Sequence, residues 1–152
     1  MICYCGHHML PEVLPVMIQH LKYFWIGAAV HDGGPMTRMK YYGIIAGFKP
    51  LIWLVKGVRG IPANFVCDTV LSKQEKNTHP WQQAVKTAQH FISALTSPNG
   101  IVVDFFSGGG TTIVATFGLN RQWIAFEINE DAANAIMERL AAGSFVSGVG
   151  GI

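Results

Sequence analysis

The chain has 152 residues, half of them apolar and 13% charged; an average soluble domain is about 25% charged, so one domain is expected with elements buried on both faces or hidden in a partner. A net charge of +2 is too small to argue for nucleic acid by itself, so any basic footprint must be local. The longest apolar run, Phe24 to Val30, is far short of the ~20 residues that cross a bilayer, no leader pattern opens the chain, and three cysteines make no disulfide framework; a cytoplasmic protein is expected.

"MICYCGH" opens with strand character at the first residue. A domain seldom begins with a core strand, so the natural start is expected upstream. Pro11 leads a helical pattern with Val13, Leu14, Met17, Ile18 and Leu21 on one face. Residues 23–30 read as a buried strand, 31–43 as a long loop opened by Gly33, Gly34 and Pro35, and 50–57 as another buried strand. Residues 57–79 read as irregular, with a short extended piece near "NFVCDTV".

From Thr78 the helix signals are strong: Thr78 to cap, Pro80 near the first turn, and Trp81, Ala84, Val85, Ala88, Phe91, Ile92 and Leu95 at a 3.6 period. "SPNG" (97–100) breaks the chain before the strand "IVVDFF". A helix over about Thr111–Phe117, a strand over 122–128 and a helix over about 130–142, capped by Asn129, complete the pattern. Alternating strands and helices predict an α/β layered sheet. Residues 1–142 are expected to form the domain, and the glycine-rich tail 143–152 to be flexible.

"VVDFFSGGGTT" places Asp104 at a strand end, directly before Gly108, Gly109 and Gly110. In open α/β sheets ligands bind at the carboxyl ends of strands, and glycines there let backbone N–H groups approach a ligand. Thr111 and Thr112 then open a helix whose N-terminal end favours anionic groups. Glu127, at the end of the next strand, has the position of an acid that accepts hydrogen bonds from a ribose diol. No lysine follows the glycines, which excludes a P-loop, and Ile113 stands where a dinucleotide fingerprint needs its third glycine. Asp104 would repel a pyrophosphate but would receive an ammonium. S-adenosylmethionine, with an ammonium, a carboxylate and a ribose, fits these charges best; another Rossmann nucleotide binder, such as one for NAD, is the weaker reading.

At these residues the sequence resembles the amino-methylating DNA methyltransferases, which modify adenine N6 or cytosine N4. "VVDFFSGGGTT" is similar to their Asp-x-Phe-x-Gly-x-Gly-Thr-Thr motif, "WIAFEIN" to their second motif, and residues 76–100 to the helix preceding the glycine motif in the permuted (β-type) order. These motifs cover about residues 73–142, and "FKPLIWLVKG" extends a weaker likeness to phage-type adenine methylases towards the N-terminus. The resemblance implies a Rossmann-like fold and S-adenosylmethionine as cofactor. Asp104 with the turn through Gly108 and Gly110 would hold its methionine part, Phe106 would pack nearby, and Thr111 or Thr112 would meet its carboxylate. Glu127 would hold the ribose, Ile128 would pack on the adenine, and His79 would lie near the methionine end. Gln82, Gln83 and Ala84 stand where many relatives have Gln-Lys-Pro.

The same family carries an Asp/Asn-Pro-Pro-aromatic motif that accepts hydrogen bonds from the target amine and stacks on a flipped base. No two prolines are adjacent in this chain, so no catalytic residue is assigned. In the β-type order that motif precedes "ICYCGH". The expectation is therefore an incomplete sheet that lacks its catalytic strand: the C-terminal part of a methyltransferase, with DNA as partner and a second chain as a source of the missing strand. The competing reading is a non-catalytic cofactor- or DNA-binding remnant. Arg38, Lys40, Tyr41 and Tyr42 join cations to aromatics on one predicted loop, which suits phosphate contact and stacking on a displaced base. Cys3, Cys5 and His7 share a strand face, but the ~7 Å between alternate strand residues suits no compact metal site; buried cysteines are expected instead.

Overall fold

A computed structural model describes residues 1–32, 36–58, 64–73 and 83–141. The chain forms two compact units, Met1–Gln74 and Glu75–Ile152. The glycine-rich tail expected at 143–152 and the helix start expected at Thr78 lie outside the described residues.

The first unit holds β1 (Ile2–Tyr4), α1 (Leu10–Met17), β2 (Lys22–His31), β3 (Thr37–Met39), β4 (Ile44–Ala46), β5 (Phe48–Val55) and β6 (Thr69–Ser72). Its main sheet runs β1-β5-β2-β6, with β5 antiparallel to both neighbours and β6 parallel to β2. Pro50–Leu54 of β5 is buried, as a continuous apolar run between two neighbours should be. The amphipathic stripe of α1 supplies the cover: Leu10, Val13, Leu14 and Met17, with Leu21 beyond, pack against Cys5, Ile52 and Leu54.

Three expectations change here. The strand over 23–30 is exposed from Lys22 to Ile26 and buries Gly27 and Ala29; a bulge between Tyr23 and Trp25 sets Phe24 against Trp53, ring centroids 4.8 Å apart. The long loop over 31–43 is instead the end of β2 followed, after residues outside the described ones, by a hairpin. Thr37 pairs with Ala46 and Met39 with Ile44, and a 3-10 turn at Lys40–Tyr42 closes on Gly43 at φ +64°. Gly43 at that left-handed position is what lets so short a connection reverse the chain. The extended piece near "NFVCDTV" becomes β6, four residues long, which docks beside β2.

The cysteines follow their burial. Burial pushes the Cys3 and Cys5 thiols above their usual range, with the neighbouring Cys5 adding to the effect at Cys3, whereas Cys67 is exposed. Reactivity follows thiolate character and access. Brief iodoacetamide treatment of the native chain is expected to place one adduct on Cys67, read by peptide mass mapping; equal labelling of Cys5 would contradict the packing.

The second unit holds α2 (Val85–Leu95), β7 (Ile101–Asp104), α3 (Thr111–Phe117), β8 (Gln122–Ala125) and α4 (Glu130–Ala141). β7 and β8 pair in parallel, Ile101 opposite Gln122 through Asp104 opposite Ala125. α3 matches its predicted span and buries Ile113, Val114, Ala115 and Thr116. α2 starts later than predicted, because Ala84 is extended at the N-cap position. Arg121 ties the end of α2 to the approach of β8, donating from Nε to Thr96 Oγ1 (3.2 Å), from Nη2 to the Thr96 carbonyl (2.9 Å) and from Nη1 to the Leu119 carbonyl.

β7 is not buried on both faces as expected. Ile101, Val103 and Phe105, with Ile124 and Phe126 across the ladder, are 45–63% exposed, and the rings of Phe105 and Phe126 stack at 5.6 Å. Parallel strands are ordinarily covered on both sides, so this pair presents an incomplete sheet.

Candidate functional site

β7 ends at Asp104 because its own side chain bends the chain. Oδ1 accepts the Phe106 N–H at 3.0 Å, the Asx turn that aspartate forms readily. Ser107 then donates twice to the Phe126 carbonyl, from its N–H and its hydroxyl, both at 3.0 Å. The Gly110 N–H donates to the Ser107 carbonyl at 2.8 Å and closes the turn. Gly108 and Gly110 have φ of +49° and +74°, which only glycine adopts at little cost. Gly110 is doubly constrained: a Cβ there would lie 3.0 Å from Cγ1 of Ile136 on α4.

Glu127 lies two residues beyond β8. Its Oε2 accepts the Gly108 N–H at 2.7 Å and its Oε1 the Asn129 N–H at 2.9 Å. Asn129 in turn caps α4, its Oδ1 accepting the Ala132 N–H at 2.9 Å. Arg139, near the other end of α4, donates from Nη1 to the Gly109 carbonyl at 2.9 Å. The glycine turn is thus braced from the segment after β8 and from α4. A carboxylate accepts about four hydrogen bonds, so bracing the turn is compatible with holding a diol. Replacing Asn129 by Ala removes the cap and should cost about 1 kcal/mol, read from urea unfolding.

The structure brings Asp104, Gly108, Gly110, Thr111, Thr112 and Glu127 into one turn and its immediate surroundings. Asp104 and Glu127 are half-buried. Phe106 and Ile128 stand open, at 91% and 101% exposure. Thr111 is buried and its hydroxyl donates to the Gln83 carbonyl at 3.1 Å, whereas Thr112 is half-buried. His79 lies outside the described residues. Arg38, Lys40, Tyr41 and Tyr42 belong to the first unit, on the β3–β4 hairpin. Ser107 and Arg139 are braces that sequence reasoning missed. Ser107 had a signal, being a hydroxyl inside the turn; Arg139 had none, since its partner is 30 residues away. Among the described residues no group of three metal-ligating side chains occurs, and no helix is long and apolar enough to cross a membrane.

A strand-turn-helix with an acid before the glycines and a second acid after the neighbouring strand defines an α/β nucleoside-cofactor class. Residues 3–138 match the N6/N4 methyltransferase family described as DNA methylase, and the chain belongs to that family. YubD of Escherichia coli (strain K12), named as a methylase, is 37% identical over 90 residues, 59% of this chain and 40% of that protein. The type II methyltransferase M.HindIII of Haemophilus influenzae is 33% identical over 70 residues, 46% of this chain and 23% of its own length. Among solved structures, the M1.HpyAVI–SAM complex superposes with a TM-score of 0.75 at 25% identity, over 92% of this chain and 73% of that one. The match spans 40% and 23% of the length of these two curated relatives, and the fold is that of the methyltransferases.

Proposed function

We propose that this chain is the cofactor-binding part of an S-adenosylmethionine-dependent DNA amino-methyltransferase, acting on adenine N6 ahead of cytosine N4. The observation that carries the reading is the Glu127–Gly108 hydrogen bond at 2.7 Å, which joins the ribose-type acid to the glycine turn in one rigid piece. When bound, the cofactor supplies an electrophilic methyl group. Asp104 receives the ammonium of its methionine part, and the side-chain-free Gly108–Gly110 backbone lets that part approach. Thr112 offers a hydroxyl to the carboxylate, Glu127 accepts from the ribose hydroxyls, and Phe106 and Ile128 provide apolar surface. The residues present suit the group: a carboxylate for its ammonium, a hydroxyl for its carboxylate and a second carboxylate for its ribose hydroxyls.

Methyl transfer to an amine needs alignment and acceptors for its developing charge rather than strong acid–base help. The acceptor motif is absent from these 152 residues. Activity therefore depends on an Asp/Asn-Pro-Pro-aromatic segment from elsewhere, such as a second chain. The missing motif equally favours a second reading, a binding remnant without catalysis. Methyl transfer from labelled cofactor to DNA separates the two: supplying such a segment in trans restores turnover in the first case and not in the second.

DNA contact is assigned to the hairpin of the first unit, where Arg38, Lys40, Tyr41 and Tyr42 are all exposed. Replacing Arg38 and Lys40 together by Ala should weaken binding to every DNA sequence alike. It should also flatten the salt dependence by about two phosphate contacts' worth of slope, roughly 0.9 per contact. An unchanged slope would remove these cations from the DNA interface.

A further inference from the structure

Where β5 ends and β2 begins, the first unit has a cleft of about 490 Å³, within the roughly 300–1,000 Å³ of small-molecule sites. Lys22 stands opposite Val55 at this end of the β2–β5 ladder, and Val30 opposite Phe48 at the other. The two ends are roughly 26 Å apart at ~3.3 Å per residue, and the β3–β4 hairpin adjoins the far one. His20, Lys22 and Lys56 line the cleft together with Leu21, Tyr23 and Val55, and among the described residues no carboxylate does. A tight turn after α1 fixes this arrangement. The His20 and Leu21 N–H groups both donate to the Met17 carbonyl, at 3.2 and 3.1 Å, and Leu21 packs on the core of Cys5, Ile52 and Leu54. The three basic side chains are exposed, and Tyr23 is 48% exposed.

A cleft lined by cations without acids concentrates anions. Lysine binds phosphate as a point charge, and an imidazole carries an N–H donor in either protonation state. Leu21 and Val55 give the walls an apolar part that a bare ion would not use, and the Tyr23 ring offers a flat group a surface to stack on. We propose that this cleft binds a small phosphate ester with a planar organic group. Lys22, Lys56 and His20 hold its phosphate, and its ring lies against Tyr23. A DNA duplex presents its phosphates on a convex surface, so the concave site favours a free ester the size of a mononucleotide. The assignment is independent of the glycine turn, which belongs to the other unit.

The test follows the backbone amide signals of the full chain by NMR during titration with thymidine monophosphate, thymidine, inorganic phosphate and a DNA duplex. Thymidine monophosphate should give saturable shifts centred on residues 18–23 and 55–57. Thymidine, which lacks the phosphate, should bind about tenfold more weakly or worse, because charge-assisted hydrogen bonds are the strong ones. Lys22→Gln combined with Lys56→Gln should weaken the nucleotide by a similar factor of about ten, with the thermal melt as in the parent. Tyr23→Ala should bring the nucleotide down to the level of inorganic phosphate. Thymidine binding as tightly as its phosphate, or nucleotide binding undiminished by the two lysine changes, overturns the proposal. Displacement of the nucleotide by S-adenosylmethionine would put it at the glycine turn instead. A duplex that moves the same amides while the nucleotide does not would make the cleft a DNA contact. Either of these results also overturns the proposal, and neither bears on whether the glycine turn binds its cofactor.

Discussion

Asp104→Asn is expected to leave the fold intact and to weaken S-adenosylmethionine binding by about ten- to hundredfold. A hydrogen bond to a charged group contributes about 1.5–3 kcal/mol, and 1.4 kcal/mol is a factor of ten in affinity. The asparagine retains an Oδ1 to accept the Phe106 N–H, so the turn that starts at 3.0 Å survives, while the charge facing the ammonium is lost. Glu127 behaves differently because it has two duties. Glu127→Gln keeps one acceptor for the two backbone donors at 2.7 and 2.9 Å and sets an amide N–H₂ against the other. Binding and stability should therefore fall together there, whereas at Asp104 only binding falls. Calorimetric titration beside urea unfolding of both variants reads the distinction. Equal stability losses at the two positions would contradict the division of roles.

Gly110→Ala is expected to cost about 2–5 kcal/mol of unfolding free energy. A left-handed φ costs an L-residue roughly 1–2 kcal/mol, and forcing a methyl into a packed site adds about 1–3 kcal/mol. Both apply here, with φ at +74° and the new Cβ 3.0 Å from Ile136 Cγ1. Gly43→Ala is the control, since its φ of +64° is similar but nothing lies within 4 Å. It should lose only the conformational part, about 1–2 kcal/mol. Equal losses at the two glycines would mean that α4 does not press on the turn.

Much of the second unit is legible in the sequence. The strand-turn-α3 order and the Asn129 cap sit where local patterns put them, while β8 starts where expected but ends at Ala125 rather than at residue 128. What could not be read is non-local. Arg139 reaches the Gly109 carbonyl across 30 residues, and the commitment of Thr111 to Gln83 depends on how α2 docks on α3. α2 itself misled, since Thr78 and Pro80 are good start signals, yet the backbone is still extended at Ala84. The hairpin at 37–46 was hidden because Gly33, Gly34 and Pro35 signal a loop, and two three-residue strands are too short to show alternation. Apolar runs such as "IVVDFF" say that burial is intended but not what provides it. Ile101 and Val103 remain open among the described residues.

Titration of the unmodified chain with S-adenosylmethionine tests the central claim most directly. Saturable binding at one site per chain is expected, undisturbed by NAD and lost when Asp104 and Glu127 are both replaced by Ala. Absence of binding, or binding that survives the double replacement, would contradict it.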